Sequence, residues 1–301
     1  MPELQRVPSN GIEIAYETFG DRSDPPIVLV MGLGTQMLAW PDEFCADLAG
    51  RGRYVVRFDN RDVGASTHLS DVPAPGIGAV LTRRRPPPYT LDDMADDALG
   101  LIEALELGPV HLVGASLGGF VAQTAALRRP DLLRSLTLIM TSTGSRRVGQ
   151  SSPRLFRRLL AGRVVRTREQ AGDAAVETFR LIGSKGFPLD EARLREVGQR
   201  SYDRAYDPDG YRRQLAAVLA QPDRSSRLRS LELPTLIVHG VHDPLVAFSG
   251  GLALARAIRG SRLLGFEGMG HDLPRPLWPV LAGAIDDLVV RASREPDHLV
   301  R

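Results

Sequence analysis

The sequence predicts an α/β protein, with a mostly parallel sheet, helices on both faces and a helical insertion late in the chain. Three observations carry that expectation. Short apolar runs alternate with longer helical patterns on either side of the insertion. Most of those runs are continuous rather than alternating, as suits strands covered on both faces. A serine flanked by glycines also stands where one such run gives way to a helix.

Taken in order, Ile12, Ile14 and Tyr16 alternate with Glu13, Ala15 and Glu17, the period-two mark of a half-buried strand within residues 11–20. Pro25 and Pro26 introduce the apolar run 27–31, which ends at Gly32-Leu33-Gly34. A helix is expected over 40–48 and a short strand over 54–58. Thr90 is the expected N-cap of a helix over 91–107, with Met94, Ala98, Leu101, Ile102 and Leu105 on one face. The alternation then continues with strand 110–113, helix 117–127 and strand 135–140. After the insertion come strand 234–239, helix 246–258, strand 261–266 and helix 277–290. Such alternation implies parallel strands joined by crossover helices. The tail, 293–301, is expected to fray.

Two stretches interrupt the pattern. Residues 142–229 read as helices over 154–165, 168–182, 190–206 and 211–219, and are expected to form an inserted cap. The core domain is then 1–141 together with 230–301. The second interruption, 70–88, contains Pro73, Pro75, Pro86, Pro87 and Pro88, which excludes a regular helix or central strand. It follows a strand's C-terminal end and reads equally as a lip of the pocket or as a surface excursion without a role.

The net charge of +2 conceals an asymmetry. Residues 145–229 hold 18 arginines and Lys185 against 10 acidic residues, a local +9. Lys185 is the only lysine in the chain, so arginine fills nearly every basic position. That bias marks a distinct segment before it marks a partner. The segment lacks the aromatic interleaving expected for nucleic acid. A single cysteine, Cys45, excludes an intrachain disulfide and fits a reducing compartment. Residues 1–14 carry no basic-then-apolar signal pattern, and no run approaches about 18 apolar residues. The expected location is cytoplasmic, without integral membrane association.

The chemistry centres on Gly114-Ala115-Ser116-Leu117-Gly118. A serine hydroxyl is a weak nucleophile until a base takes its proton and the backbone thrusts its oxygen clear. A sharp strand-to-helix turn does this, and the tightness of the turn calls for glycine two residues to either side. With 30 glycines in 301 residues, the pattern arises by chance about once in five to ten such chains. Its position between an apolar strand and a helix is what makes Ser116 the expected nucleophile.

In this arrangement the base and acid follow the serine in the order acid, then histidine, each on a loop at the strands' C-terminal ends. His68 and His111 precede Ser116, and His298 lies in the tail. His239 ends a strand, and His242 shares the loop that supplies the acid. His271, in Gly268-Met269-Gly270-His271, is the expected base. Asp243 follows the preceding strand and is the expected acid, ahead of Asp272, Glu267 and Asp42. The oxyanion hole requires two backbone N–H groups, expected from Leu117 and Leu33. No metal is expected from His239, His242 and Asp243, and no phosphate-binding loop surrounds Lys185. Gly32 and Gly34 fail as a dinucleotide fingerprint because Met37 stands where glycine is required. No cofactor is expected.

Together, M-G-L-G at 31–34, R-F-D-N-R-D-V-G-A-S at 57–66, G-A-S-L-G at 114–118, H-G-V-H-D-P at 239–244 and G-M-G-H-D-L-P at 268–274 resemble the α/β-hydrolases. W-P-D-E-F at 40–44 and Y-T-L-D-D-M-A-D-D at 89–97 resemble the branch holding aclacinomycin methylesterase and mycobacterial esterase/lipase-type hydrolases. The resemblance implies an eight-stranded, mostly parallel sheet with a helical cap. It also implies that Ser116, Asp243 and His271 are the triad, that Leu33 and Leu117 line the oxyanion hole, and that Asp59, Arg61 and Asp62 brace the adjacent loop. Many relatives carry histidine where this chain has Met31. Serine at 116, rather than aspartate, argues against dehalogenase and epoxide hydrolase chemistry. The expected activity is hydrolysis of carboxylic esters with hydrophobic acyl groups or bulky substrates. Thioesterase or phospholipid-directed activity by the same triad, and a non-catalytic ligand-binding role, are the alternatives. The expected partner is a small-molecule ester.

Overall fold

The computed structural model describes residues 2–76, 78–79, 82, 86–161 and 165–294. Eight strands form one sheet in the order β1-β2-β4-β3-β5-β6-β7-β8. They are β1 Gln5–Ser9, β2 Ile12–Phe19, β3 Pro26–Val30, β4 Tyr54–Phe58, β5 Val110–Ala115, β6 Leu133–Ile139, β7 Thr235–Gly240 and β8 Arg262–Phe266. β1 and β2 pair antiparallel, as do β2 and β4, and every pairing from β4 through β8 is parallel. Sequence reading missed β1, whose Pro8 interrupts an otherwise short polar edge strand. It joins β2 through a tight turn in which Asn10 and Gly11 both take positive φ, 48° and 76°.

The described helices are α1 Asp42–Gly50, α2 Leu91–Ala104, α3 Leu117–Arg128, α4 Pro153–Ala161, α5 Arg168–Ile182, α6 Glu191–Arg204, α7 Pro208–Ala220, α8 Ser249–Ala257 and α9 Trp278–Arg294. Alternation along each central strand sorts the core into two layers. Val28 and Val30 of β3 pack with residues of α2, α3 and α8, while Ile27 and Leu29 pack with α1 and α9. Thr90 caps α2 as expected: its hydroxyl accepts from the Asp93 N–H at 3.3 Å, and the Asp93 carboxylate accepts from the Thr90 N–H at 2.7 Å.

Helices α4 to α7 all lie between β6 and β7. The helix expected over 154–165 is described only as far as Ala161, and residues 162–164 lie outside the described set. The same holds for parts of 70–88 and for 295–301, which includes His298. Among the described residues, no helix is long and apolar enough to cross a membrane.

Successive connections run from β3 to β4 on one side and across to β5 on the other, so the strand order reverses between β3 and β5. Such a reversal marks the position at the strands' C-terminal ends where open α/β sheets set their sites.

Candidate active site

Register brings the ends of five strands to one edge. Val30 of β3 pairs with Gly114 of β5, Ala115 with Ile139 of β6, and Gly240 of β7 with Phe266 of β8. Ser116 follows β5 directly and holds φ 54°, ψ −116°, a region that L-residues rarely occupy. Its N–H donates to the Ile139 carbonyl at 2.8 Å, so the strained residue stays tied to the sheet. The flanking glycines are steric necessities. A Cβ at Gly114 would run into the Gly118 backbone, and one at Gly118 into the Val30 carbonyl.

Three distant side chains converge at this edge. The Ser116 hydroxyl stands 3.0 Å from His271 Nε2, and His271 Nδ1 stands 2.7 Å from Asp243 Oδ2. The other Asp243 oxygen accepts from the N–H groups of Leu245 and Val246, both at 2.8 Å. Asp243 and His271 are both buried. Water is thus largely excluded from the pair, which strengthens its electrostatic coupling.

The remaining described histidines have other partners. His68 bonds Asp207 and the Gly64 carbonyl, and His111 bonds Ser135. His242 accepts from the Gly268 N–H. His239 is fully buried and bonds the Val246 carbonyl at 2.7 Å, with burial holding its pKa below the usual histidine value. The same nitrogen, Nε2, lies 3.8 Å from an Asp243 carboxylate oxygen, so His239 is engaged by the loop that carries the acid. Cys45 is no rival nucleophile, since burial pushes its thiol up to about 12.

Asp272, the rival acid, points away from the imidazole. Its carboxylate accepts from the N–H of Ser184 at 2.8 Å and from that residue's hydroxyl, and burial raises its pKa. Ser184 Oγ in turn accepts from the Gly270 N–H at 3.0 Å. The same short segment, from the last residue of α5 to Gly186, makes three more bonds to the histidine loop. The Ile182 carbonyl accepts from the His271 N–H at 2.8 Å, and the Lys185 and Gly186 N–H groups donate to the Gly268 carbonyl. Nothing in the sequence pairs residues 182–186 with 268–272, and this clasp was missed.

The loop 31–34 passes beside the nucleophile: a Cβ on Gly32 would sit 3.3 Å from Ser116 Cβ. Asn60 donates to the Met31 carbonyl at 3.0 Å, and the Gln214 side chain accepts from the Gly34 N–H at 2.8 Å while donating to the Arg61 carbonyl. Leu33 lies between these two anchors. Leu117 is the first residue of α3, so its N–H has no acceptor within the helix.

Asp59 accepts from the Met37 N–H, the Ala65 N–H and the Arg204 guanidinium, at 2.8, 2.9 and 2.9 Å. Arg61 forms a two-pronged pair with Asp97, and Asp62 does the same with Arg213, with Tyr89 adding a third bond to Asp62. Sequence reading singled out Asp59, Arg61 and Asp62 but not their partners Arg204, Arg213 and Gln214, which come from helices between β6 and β7. Asp62, His68 and Asp207 also lie close enough together to share a cation, but the Arg213 guanidinium already donates to both carboxylates.

A family model described as the alpha/beta hydrolase fold matches residues 25–274. The rhodomycin D methylesterase DauP of Streptomyces sp. strain C5 is 30% identical over 291 residues, covering 89% of this chain and 92% of that protein. The rhodomycin D methylesterase DnrP of Streptomyces peucetius is 27% identical over 299 residues, covering 93% and 95%. Among solved structures, a hydrolase from Pseudomonas aeruginosa PA01 superposes with a TM-score of 0.69 at 25% identity, over 97% of this chain and 98% of that one. With the sheet order, the strained serine turn and these likenesses in hand, the chain belongs to the α/β-hydrolase fold family.

Proposed function

We propose that Ser116 is the nucleophile, His271 the general base and Asp243 the acid of a serine ester hydrolase. The enzyme is a carboxylic ester hydrolase, and the observation that supports this assignment of roles is the continuous relay Ser116–His271–Asp243 at 3.0 and 2.7 Å.

His271 Nε2 takes the Ser116 proton as Oγ attacks the ester carbonyl carbon. The carbonyl π electrons move onto oxygen, and the N–H groups of Leu33 and Leu117 stabilise that oxyanion. His271 Nδ1–H donates to Asp243, which fixes the tautomer and stabilises the imidazolium. Collapse of the tetrahedral intermediate expels the alcohol, protonated by His271, and leaves an acyl group on Ser116. Water, deprotonated by His271, then attacks the acyl carbon and frees the acid and the serine.

Residues 142–229 act as a cap on this edge, and a hydrophobic or bulky acyl group is the substrate they suit best. The Streptomyces relatives are named methylesterases, which favours a small alcohol as the leaving group here as well. We place the enzyme in the cytoplasm, on the strength of one buried cysteine.

The test is turnover on a panel of methyl and p-nitrophenyl esters, with acyl thioesters of graded length beside them. Wild type should prefer oxygen esters, and Ser116→Ala should fold normally yet lose at least about a thousandfold in kcat/KM. Near-wild-type turnover by Ser116→Ala would reject the nucleophile.

A further inference from the structure

Helix α4 and the loop before it differ from the rest of the insertion in charge. Residues 132–168 contain nine arginines, from Arg134 to Arg168, and no aspartate or glutamate. C-terminal to this stretch the arginines are mixed with carboxylates and many are paired, Arg180 with Glu191, Arg195 with Asp173, Arg212 with Asp209 and Arg213 with Asp62, while Arg168 at the stretch's own end pairs with Asp203. Among the described residues, Arg146, Arg147, Arg154, Arg157, Arg158 and Arg166 have no carboxylate partner, and all six are exposed.

The helix itself is sharply two-faced. Arg154, Arg157 and Arg158 fall on one side of the 3.6-residue repeat, and Leu155, Phe156 and Leu159 on the other. Yet none of those three apolar side chains is fully buried. A helix that hides its apolar face in a protein core buries such residues; this one leaves them partly exposed beside guanidinium groups without carboxylate partners. Tyr206, 45% exposed, presents a further aromatic ring on the insertion: it lies 5.4 Å from that of Tyr202, and its hydroxyl accepts from the Val165 N–H.

The segment is also fixed at the catalytic edge. The Gly149 N–H donates to Ser249 Oγ at 3.0 Å, and Gly149 packs against Val246, whose N–H holds Asp243. We infer that α4 and its flanking arginines are a docking surface for an anionic phospholipid bilayer, presenting the catalytic edge to the lipid–water interface. A basic amphipathic helix with a half-exposed apolar face lies in the plane of such a surface, arginines toward the headgroups and Leu155, Phe156 and Leu159 toward the acyl boundary. The apolar face selects lipid over nucleic acid, which would use the charge alone.

Co-sedimentation of the full chain with vesicles tests this, using Ser116→Ala beside wild type so that binding is read apart from catalysis. Both should bind vesicles of equal parts phosphatidylcholine and phosphatidylglycerol at least about tenfold more tightly than phosphatidylcholine alone. The triple variant Arg154→Glu, Arg157→Glu, Arg158→Glu should lose that preference while hydrolysing a soluble short-chain ester at the wild-type rate. Phe156→Ser should weaken binding even where added salt has removed most of the charge effect. Equal affinity for both vesicle types, binding unchanged in the triple variant, or tighter binding to duplex DNA than to the anionic vesicles would overturn the inference.

Discussion

The two parts of this molecule are held together by different physics. At the sheet edge, the residues around Ser116 are fixed by apolar packing and by glycines that leave room for nothing else: α3 buries ten of its twelve residues, Leu117 through Ala126. Between β6 and β7 the helices are held mainly by polar groups. α6 buries no residue completely, and α7 buries Arg213 and Gln214 along with Gly210, Leu215, Ala216 and Ala217. These helices join the core through apolar packing by Ala217 and Val218 and through a set of hydrogen-bonded pairs, Arg204 to Asp59, Arg213 to Asp62, Gln214 to Gly34 and Ser184 to Asp272. Such pairs specify one docked position, but each becomes costly if half of it is removed.

The largest expected effect follows from breaking one of them. Arg213→Met leaves Asp62 and Asp207 without their guanidinium, with Asp62 fully buried. Removing one partner of such a pair costs about 3–5 kcal/mol, which urea unfolding would read as a lowered midpoint. If the midpoint stays put, the joint between the two regions does not depend on charge pairing.

A second change concerns the sheet alone. Burial, with help from Arg134 and Arg53, holds His111 down to about 4. The unfolded chain binds a proton there near pH 6.5 and the folded chain does not, so the native state loses stability as pH falls from about 6.5 to about 4. The full loss is about 3 kcal/mol at the acid end. His111→Gln should flatten that slope over the same window in thermal or urea unfolding, and an unaltered slope would assign it to other groups.

The smallest effect is the most local. Ser184→Ala removes one bond to Asp272 and orphans the Gly270 N–H beside His271. About 1–2 kcal/mol of stability should go. If the clasp positions the imidazole, kcat should fall several-fold with KM little changed, and Ser184→Thr should restore part of it. Loss of stability with kcat intact would make the clasp merely structural.

Why the sheet edge was legible and the insertion was not follows from the same contrast. Ser116 sits in a turn so tight that the sequence had to show glycine at 114 and 118, and His271 was reached by setting aside histidines that the fold indeed engages elsewhere, His111 with Ser135 and His239 with Val246. Apolar runs announced β3, β5 and β7 because strands covered on both faces cannot alternate. β1 was invisible because a short polar edge strand carries no such signature. Gln214 and Ser184 were invisible for another reason: their partners lie 180 and 88 residues away, and hydrogen bonds across such gaps leave no periodic trace.

The most direct measurement is covalent labelling by a fluorophosphonate, followed by mass analysis of the intact protein and its peptides. One adduct per chain should form, on the peptide that contains Ser116, and labelling should collapse in His271→Ala, where no base remains to take the hydroxyl proton. An adduct on another residue, or wild-type labelling rates without the imidazole, would contradict a catalytic Ser116 activated by His271.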